Sequence, residues 1–594
     1  MSHLVVFWLG TFFSRHFSLR LAPKHSSPSS SFLPLKMPPK AASKSAATAA
    51  SERTSRVRSS KVTAEKKQPE KKQPAKPATT KPVKTAKTVK TTKAKAEKPK
   101  VEKKEKAAKP TKMATTVKAK SAAATKKRKA DDEEEKPRET KRSRVIAQPR
   151  KTKAPAPPKA KPAKVVINEA PTTKLNVFVC GEGSSGELGL GTAKNVIDVK
   201  RPRLNKLLSP EEVGVVQVAV GGMHCVALTH DNKIFTWGVN DQGALGRDTN
   251  WDGGYKDIDG GSDSDSEDED SGLNPLESTP TSIPTEAFPE DTVFVEVVAA
   301  DSSSFALTDD GLVYGWGTFR SNDGILGFDA HNLVQKTPLL ISSLKKIKHL
   351  ACGANHILAL NDKGRVYSWG SGQQNQLGRR IVERNRLNGL QPREFGLPKD
   401  IVCIGSGQYH SFAVHSSGKV FAWGLNSFGA TALREGAGDD EAAIVHPLEV
   451  ESLTGRGITQ IDGGSHHSIA VAQDGECLVW GRLDGFQSGL KIDTIPDDAV
   501  IKDERDRPRI LITPTVLPNF KAKVVAAASD HCVAIDVDGR PWSWGFSATY
   551  QTGQGTQDDI EVATAIDNTA TRGKKLNWAG AGGQFSVFTE PASL

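Results

Sequence analysis

The sequence predicts an all-β fold: a seven-bladed β-propeller whose last blade is closed by both termini, preceded by a long disordered basic tail. Three observations lead to this prediction. A Trp-Gly pair recurs at a regular interval, each repeat has the pattern of antiparallel strands, and each end of the folded region carries half a repeat. The pairs are Trp237-Gly238, Trp316-Gly317, Trp369-Gly370, Trp423-Gly424, Trp480-Gly481 and Trp544-Gly545.

The spacing of the pairs indicates a repeat architecture. Successive pairs lie 79, 53, 54, 57 and 64 residues apart, and Cys180-Gly181 stands 57 residues before the first as a degenerate seventh copy. Units of this length bury a core only by stacking on their neighbours. Repeats of the WD type are shorter and end in Trp-Asp, while kelch repeats are nearer in length but lack the histidine that precedes a strand in most units here.

Each unit reads as an antiparallel sheet. The run from His410 to Val414 is followed by a Gly-containing turn at residues 416–418 and by a second apolar run from Val420 to Trp423. Two apolar runs joined by so short a turn predict a β-hairpin. No repeat has a helical period of comparable length. A ring of such sheets protects strand edges that an open array would expose.

The two ends of the repeat region complete one blade. Six units between Gly221 and Gly555 carry both halves of the repeat. The region begins with the Trp-Gly half alone, from Asn176 to Gly181, and ends with the Gly-Gly half alone, from Trp578 to Gln584. We therefore expect the two half-repeats to pair as strands of the seventh blade.

The chain divides by composition into three regions. Residues 175–594 form the propeller, with an acidic insertion loop at about 249–292, and residues 37–174 form a Lys/Ala/Pro-rich tail that cannot repay the entropy of ordering. Residues 1–174 hold 46 Lys and Arg against 13 Asp and Glu, a net +33, so the remainder carries −19 of the total +14. Residues 1–36 are either a targeting presequence or an extension from an upstream start codon, and we favour the second reading.

The tail suggests nuclear and nucleic-acid functions. A dense lysine-rich tail binds phosphates without reading sequence, although a solubilising linker has the same composition. Two basic clusters flank an acidic spacer at residues 131–135 and suit a bipartite nuclear-import signal read by an import receptor. The clusters consist of Lys126, Lys127, Arg128, Lys129, Lys141, Arg142 and Arg144.

No motif in the sequence predicts a cofactor site or a metal site. Gly181 to Gly186 matches GxGxxG, but no helix follows and other repeats have a Gly-rich turn there. The acidic run from Asp257 to Asp270 lacks the ligand register of a calcium loop. The six cysteines form no CxxC pair and read as reduced core thiols. We expect no cofactor, no metal and a monomer without a membrane segment.

The repeat itself separates scaffold residues from candidate site residues. Histidines that recur in the units are interpreted as scaffold ligands of backbone groups; they are His224, His356, His410, His467 and His531. The loop residues just before them vary and should form a polar ring on one face. Asp301 and His466 break the pattern there, although Asp301 also suits a local turn. In the repeat of Trp316, residues 318–327 replace a compact turn by an exposed hairpin with an apolar tip.

These segments resemble the regulator of chromosome condensation family, in its fungal type. The resemblance covers residues 175–590 and is carried by residues 221–224, 240–248, 307–311, 319–327, 376–379 and 463–467. It implies a guanine-nucleotide exchange factor for the small GTPase Ran, bound to chromatin in the nucleus and acting in nucleocytoplasmic transport and mitosis. The family's exchange site maps onto Asp301, His466 and a protruding wedge, and its second acid falls on Asn355. The wedge residues are Phe319, Arg320, Ser321, Asn322, Asp323, Gly324, Ile325 and Leu326.

The family likeness also implies an arginine-bearing loop that binds the nucleosome, on the face opposite the exchange site. Guanidinium groups recognise carboxylates through two parallel hydrogen bonds. A solvated charged loop is the alternative. The arginines concerned are Arg379, Arg380, Arg384, Arg386 and Arg393.

Two other functions remain as alternatives. A non-catalytic propeller scaffold of the same superfamily would bind another protein without exchanging nucleotide. A propeller enzyme would need convergent acid and base groups, and Asp301, His466 and Asp530 lack an activated nucleophile. We therefore expect a nucleotide-exchange catalyst without covalent chemistry.

Overall fold

The computed structural model describes residues 164–253 and 271–593. Seven antiparallel sheets form a closed ring, as the repeat predicts. The residues named for nuclear import, residues 1–36 and the whole acidic run from Asp257 to Asp270 lie outside the described part of the chain. Blades are numbered 1 to 7 by the order of their third strands along the chain.

Each blade has four strands, counted from the axis outward. The first strands of blades 2 to 7 and then blade 1 are Val215–Val220, Phe294–Ala299, Ile347–Cys352, Ile401–Ser406, Ile458–Gly463, Ala522–Ala527 and Trp578–Ala581. The second strands, in the same order, are His224–Thr229, Ser303–Thr308, His356–Asn361, His410–His415, His467–Ala472, His531–Asp536 and Phe585–Pro591.

The outer half of each blade follows the same order. The third strands are Ile234–Gly238, Val313–Gly317, Val366–Gly370, Val420–Leu425, Cys477–Arg482, Pro541–Gly545 and Leu175–Glu182. The fourth strands are Thr281–Ser282, Gln335–Leu340, Arg393–Glu394, Ala443–Glu449, Pro508–Val516, Ile560–Ala565 and Asp198–Leu204. Blade 6 adds Val500–Lys502 at its outer edge, and blade 3 adds a separate hairpin of Phe319–Ser321 and Gly324–Gly327.

Helices are few and short in the described residues. The single α-helix in the described ranges is Pro275–Ser278. The 3₁₀ helices are Lys194–Val196, Lys206–Leu208, Thr285–Ala287, Glu383–Leu390, Ile492–Thr494 and Asp497–Ala499. Within residues 164–253 and 271–593, no helix has the length and apolar character that crossing a bilayer requires.

Blade 1 joins the two ends of the folded region. The strand Leu175–Glu182 pairs antiparallel with Phe585–Pro591, in register from Leu175 opposite Pro591 to Gly181 opposite Phe585. The prediction that two half-repeats complete one blade is confirmed. Closing the ring by hydrogen bonds between its ends leaves no sheet without a neighbour.

The repeat tryptophans tie neighbouring blades together. All six are at most 2% exposed. Trp423 Nε1 donates to the carbonyl of Gln376 in the preceding blade at 2.8 Å, and Trp480 does the same to Ala430 at 2.8 Å. A buried indole N–H requires such a partner. The Trp-Gly signal therefore records a contact between units rather than one within a unit.

The repeat histidines are scaffold residues, but their partners differ from the prediction. His410 Nε2 is 2.6 Å from Ser468 Oγ of the next blade, and the Ser468 hydroxyl donates to the Ala430 carbonyl at 2.8 Å. Because that proton is used, the imidazole donates from Nε2. His224, His356 and His531 also meet a serine of the next blade, whereas His467 meets Cys532 Sγ at 3.1 Å. The expected backbone ligands are thus replaced by side chains.

The folded region includes residues 164–174, which the sequence prediction placed in the tail. The Ile167 N–H donates to the Asp309 carbonyl at 2.7 Å. Asn168 Nδ2 donates to the carbonyls of Thr308 and Ile347 at 3.0 and 2.9 Å. This segment therefore binds blades 3 and 4 before the chain enters blade 1.

Candidate functional site

One face of the propeller gathers two sets of loops. Strand pairing places Cys352 opposite Ile357 and His356 opposite Gly370 in blade 4. The loop before each second strand and the connection after each third strand therefore emerge at the same end of the blade. We call this end the ring face. The variable loop residues and the wedge of the sequence prediction both lie on it.

The loops before the second strands lie around the axis and are joined by hydrogen bonds. Among the described residues, five of the seven loops donate a main-chain N–H to the loop of the next blade, at 2.8 to 3.2 Å. The variable loop residues therefore lie around the axis on one face, as the repeat alignment predicts. The bonds run from Asp301 N to Ala354 O, Ala354 N to Gln408 O, Gln408 N to Gly464 O, Ser465 N to Ser529 O, and Gly583 N to Gly222 O.

Asp301 carries the most unusual charge of this ring. Its carboxylate makes no hydrogen bond or ion pair with any residue in the described part of the chain. Burial raises its pKa to about 6, against the attraction of the nearby Arg320 guanidinium. A half-buried carboxylate without a partner is destabilised in its charged form. Such a group gains more than a solvated one when a cation binds it.

The wedge is a hairpin anchored in the core of blade 3. Phe319 is fully buried and stacks on Phe305 and Phe328, with centroids 6.1 and 6.3 Å apart. Leu326 is also buried, at 5% exposure. The expectation of an apolar tip is wrong, because the tip consists of Asn322 and Asp323. Ile325, 46% exposed, is the apolar wedge side chain that reaches solvent.

Blade 4 holds the wedge from the side. The Arg320 main-chain N–H donates to Asn355 Oδ1 at 2.7 Å, and the Asn322 N–H donates to Gln373 Oε1 at 2.7 Å. Gln374 Nε2 donates to Asn322 Oδ1 at 3.1 Å. Asn355, which the sequence resemblance aligns with the family's second acid, thus has its side-chain oxygen engaged in a contact within the protein.

The arginine loop begins on the ring face, because it follows the third strand of blade 4. Arg386 pairs with Asp323 of the wedge at 3.0 Å and with Glu383 at 3.3 Å. The prediction that these arginines lie on the opposite face is wrong for Arg386. Arg379 is half-buried and donates to the carbonyls of Ser368 and Gln391, and burial lowers its pKa to about 10. Of the five arginines, Arg380, Arg384, Arg386 and Arg393 are exposed.

His466 sits in a cluster that the sequence analysis missed. Its ring centroid is 4.7 Å from that of Phe428. The guanidinium groups of Arg509 and Arg482 lie 4.8 and 5.2 Å from the Phe428 centroid. Burial, and then Arg482, lower the pKa of His466, which favours the neutral imidazole. Phe428 stands in the turn position that Gln242 holds in blade 2, and this break in the repeat could have identified it.

Asp530 belongs to the same cluster. It accepts from Gln487 Nε2 at 3.0 Å and lies 3.8 Å from an Arg482 guanidinium nitrogen. These partners make it part of the support around His466 rather than a free acid. Among the described residues, no group of three or more His, Cys, Asp or Glu side chains could hold a metal ion.

The candidate residues thus form a band across four blades. Asp301 and the wedge belong to blade 3, Asn355 to blade 4 and His466 to blade 6. Tyr409 of blade 5 is close enough to Asp301 to sense its charge, since burial and then the Asp301 charge raise the pKa of Tyr409. Gln408 extends the link, since its side chain accepts from Ser465 Oγ at 2.6 Å. The ring face carries a buried carboxylate and a protruding hairpin, and both features suit the binding of a macromolecule.

Comparisons with known proteins agree with this architecture. Residues 176–588 match the RCC1-like domain. The guanine nucleotide exchange factor SRM1 of Saccharomyces cerevisiae is 45% identical over 70% of this chain and 86% of its own length. The crystal structure of Prp20p from Saccharomyces cerevisiae is 41% identical, covers 72% of this chain and 96% of its own, and has a TM-score of 0.66.

A second structure, Kap60 bound to yeast RCC1 (Prp20), gives 40% identity and a TM-score of 0.66 over 76% of this chain and 97% of the matched chain. The matched residues 176–588 span the ring of seven blades, including the blade built from both ends. The chain belongs to the RCC1-like domain family.

Proposed function

We propose that this protein is a guanine-nucleotide exchange factor for a small GTPase of the Ran type. The relative SRM1 is named as a guanine nucleotide exchange factor, and the Prp20p structure is described with its binding to Gsp1p and histones. The observation that carries the proposal is the unpaired Asp301 beside the wedge on one face. A scaffold has no need of a destabilised charge at that place.

Exchange of this kind requires binding rather than covalent chemistry. A partner that binds the nucleotide-free GTPase more tightly than the loaded GTPase must weaken nucleotide affinity by the same factor. The Asp301 carboxylate pairs with a cation of the GTPase, because that contact relieves its desolvation. The wedge presents its polar tip and Ile325 to the nucleotide-binding region, and the neutral His466 supplies a hydrogen-bonding group.

The assay that tests the proposal follows release of a fluorescent GDP analogue. Catalytic amounts of the protein should accelerate release from Ran by orders of magnitude and leave an unrelated small GTPase unaffected. Asp301→Asn should retain the fold, because the change is isosteric, and lose most of the acceleration. If release from Ran is not accelerated, the protein is a non-exchanging scaffold of the same superfamily.

We also propose a nuclear, chromatin-associated location. The basic region up to residue 163 is the part suited to DNA phosphates, and the exposed Arg380, Arg384 and Arg393 are the part suited to acidic protein surfaces. The clusters at 126–129 and 141–144 would engage an import receptor. This proposal is supported by the histone and Kap60 binding described for Prp20.

Two variants separate these contributions. Removal of residues 37–163 should weaken nucleosome binding and flatten its dependence on salt, because counterion release is lost. Replacing Arg384 by alanine should weaken binding to the nucleosome but not to free DNA. Electrophoretic mobility shift measures both effects. Unchanged nucleosome affinity in both variants would contradict the proposal.

A further inference from the structure

The hydrogen bond between Asn355 and the wedge joins two blades at the site. Asn355 lies in the loop before the second strand of blade 4, while Arg320 is the first exposed residue of the blade 3 hairpin. The main-chain N–H of Arg320 reaches Asn355 Oδ1 at 2.7 Å. This N–H lies in a two-stranded hairpin, which has little stability of its own in water. A hydrogen-bond acceptor from a neighbouring blade therefore limits the motion of the hairpin directly.

The tip of the wedge is held by the same blade. Gln373 Oε1 accepts from the Asn322 N–H at 2.7 Å, and Asn322 Oδ1 accepts from Gln374 Nε2 at 3.1 Å. Neither glutamine belongs to the wedge, and both lie in the turn after the third strand of blade 4. Two hydrogen bonds on one asparagine fix both its main chain and its side chain.

An ion pair adds a third point of attachment. Arg386 contacts Asp323 at 3.0 Å, and both side chains are exposed, at 43% and 64%. A single exposed pair contributes little stability. The ion pair instead helps to fix the position of the wedge tip, because Asp323 is the residue next to Asn322. Phe319 and Leu326 fix the base of the hairpin in the core, so the contacts from blade 4 fix the part that the core does not reach.

We propose that blade 4 braces the wedge, and that Asn355, Gln373 and Arg386 are positioning residues for nucleotide exchange. The inference rests on the proposed function and adds to it the reason why an asparagine suffices at 355. The contact needs an oxygen that accepts an N–H, and asparagine and aspartate both supply one. A wedge held in place beforehand does not spend binding free energy on its own ordering. The brace therefore raises the rate of nucleotide release.

The first test needs no GTPase. Amide hydrogen exchange of the peptide spanning residues 318–328 is measured in the full chain by mass spectrometry. Asn355→Leu should speed exchange of the wedge amides about fivefold, as expected for the loss of one ordinary hydrogen bond. Asn355→Asp keeps the acceptor and should leave that exchange unchanged.

A matched control comes from the same blade. Arg365 pairs with Glu394 at 2.8 Å, and the two side chains are 40% and 42% exposed. Arg365→Ala therefore removes a comparable ion pair that does not touch the wedge, and wedge exchange should not change. Arg386→Ala should speed it, and the double variant Asn355→Leu/Arg386→Ala should speed it further. Unchanged wedge exchange in Asn355→Leu overturns the brace.

The second test measures nucleotide release from Ran. Asn355→Leu should lower kcat about fivefold with KM changed less than twofold, because the residue acts through the wedge rather than on the GTPase. In a variant whose wedge tip has been shortened, the same substitution should have no further effect. Faster wedge exchange with unchanged kcat would refute the positioning role.

The two tests keep the inference separate from the proposed function. If wild-type protein does not accelerate release from Ran at all, the function proposed above fails. The kinetic role of the brace then fails with it. The hydrogen-exchange result still decides whether blade 4 braces the wedge.

Discussion

The imidazole of His466 packs against the phenyl ring of Phe428, with ring centroids 4.7 Å apart and planes inclined by 40°. The side chain of His466 makes no hydrogen bond to a residue in the described ranges, so the aromatic contact sets its orientation. Phe428 is itself held by the guanidinium groups of Arg482 and Arg509. The neighbouring repeat histidine, His467, is buried and contacts Cys532 Sγ of the next blade through Nε2. One loop thus carries a structural and a candidate functional histidine side by side.

Phe428→Leu should lower the rate of nucleotide release several-fold while the fold is kept. Leucine fills part of the space but offers no ring face to His466 or to the two arginines. Phe428→Tyr keeps the ring and should retain the rate. Stopped-flow release of fluorescent GDP measures both. Phe520→Leu removes another stacked aromatic, 4.5 Å from Trp542 and away from the cluster, and should leave the rate unchanged; equal loss in both leucine variants would contradict the role of Phe428.

Asp301→Asn should stabilise the protein at pH 8 although it impairs exchange. The folded-state pKa is raised from 3.8 to about 6, so the folded chain holds the proton more tightly than the unfolded chain. Stability therefore increases as the pH falls through 6 towards 4, and above pH 6 the charge lowers the free energy of unfolding by up to about 3 kcal/mol.

Asparagine carries no charge, so its advantage should shrink between pH 8 and pH 5.5. Denaturant unfolding at both pH values measures this difference. Asp309→Asn is unsuitable as a control because Lys164 pairs with Asp309 at 2.7 Å. Asp440→Asn, at an exposed turn, serves instead as the control for the substitution itself. A destabilised Asp301→Asn at pH 8 would mean that the carboxylate has a partner in the folded protein.

The repeat histidines should make the propeller sensitive to acid. Burial lowers the pKa of His224 to about 4 and that of His410 and His531 to about 3, from 6.5. A depressed histidine pKa means that the unfolded chain binds more protons, so stability is lost as the pH falls below 6.5. Each such histidine should lower the free energy of unfolding by up to about 2 kcal/mol at pH 5.

Thermal unfolding between pH 7 and pH 5 measures this effect, and the apparent midpoint should fall steadily. The buried carboxyl groups of Asp301, Glu187 and Asp462 have raised pKa values and act in the opposite direction over the same interval. Their summed effect is smaller than that of the five histidines. The matching substitution is His531→Phe, because blade 1 already carries Phe585 at this position. In that variant the unfolding midpoint should fall less between pH 7 and pH 5 than it does in the wild type. A midpoint that stays constant or rises towards pH 5 would contradict neutral buried histidines.

The architecture could be predicted from the sequence because each repeat meets the same packing and backbone requirements with the same residue types. Trp423-Gly424 recurs because six of the seven blades bury an indole at this place, and because all seven have a glycine with positive φ, here 103°, near the end of the third strand. A Cβ on Gly424 would approach the Tyr409 carbonyl oxygen to 2.5 Å. The missing histidines at Ser303 and Phe585 did not obscure the period.

Features that depend on contacts between different repeats could not be predicted from the pattern of a single repeat. The serine partners of the histidines lie one blade further along the chain, and nothing in a single repeat indicates them. The polar tip of the wedge follows from the burial of Phe319 and Leu326, which composition alone does not reveal. The pairing of Arg386 with Asp323 joins residues 63 positions apart and moves this arginine to the ring face.

The central claim is that the ring face opens the nucleotide site of a Ran-type GTPase through the wedge. The sharpest variant replaces residues 320–325 by a short Gly-containing turn, because Phe319 and Leu326 anchor the hairpin in the core and should be kept. Stopped-flow release of fluorescent GDP from Ran is measured for wild type and variant, with circular dichroism to confirm the fold. We expect fast release with the wild type and at least a hundredfold slower release with the variant. Equal release by the two proteins would contradict the account.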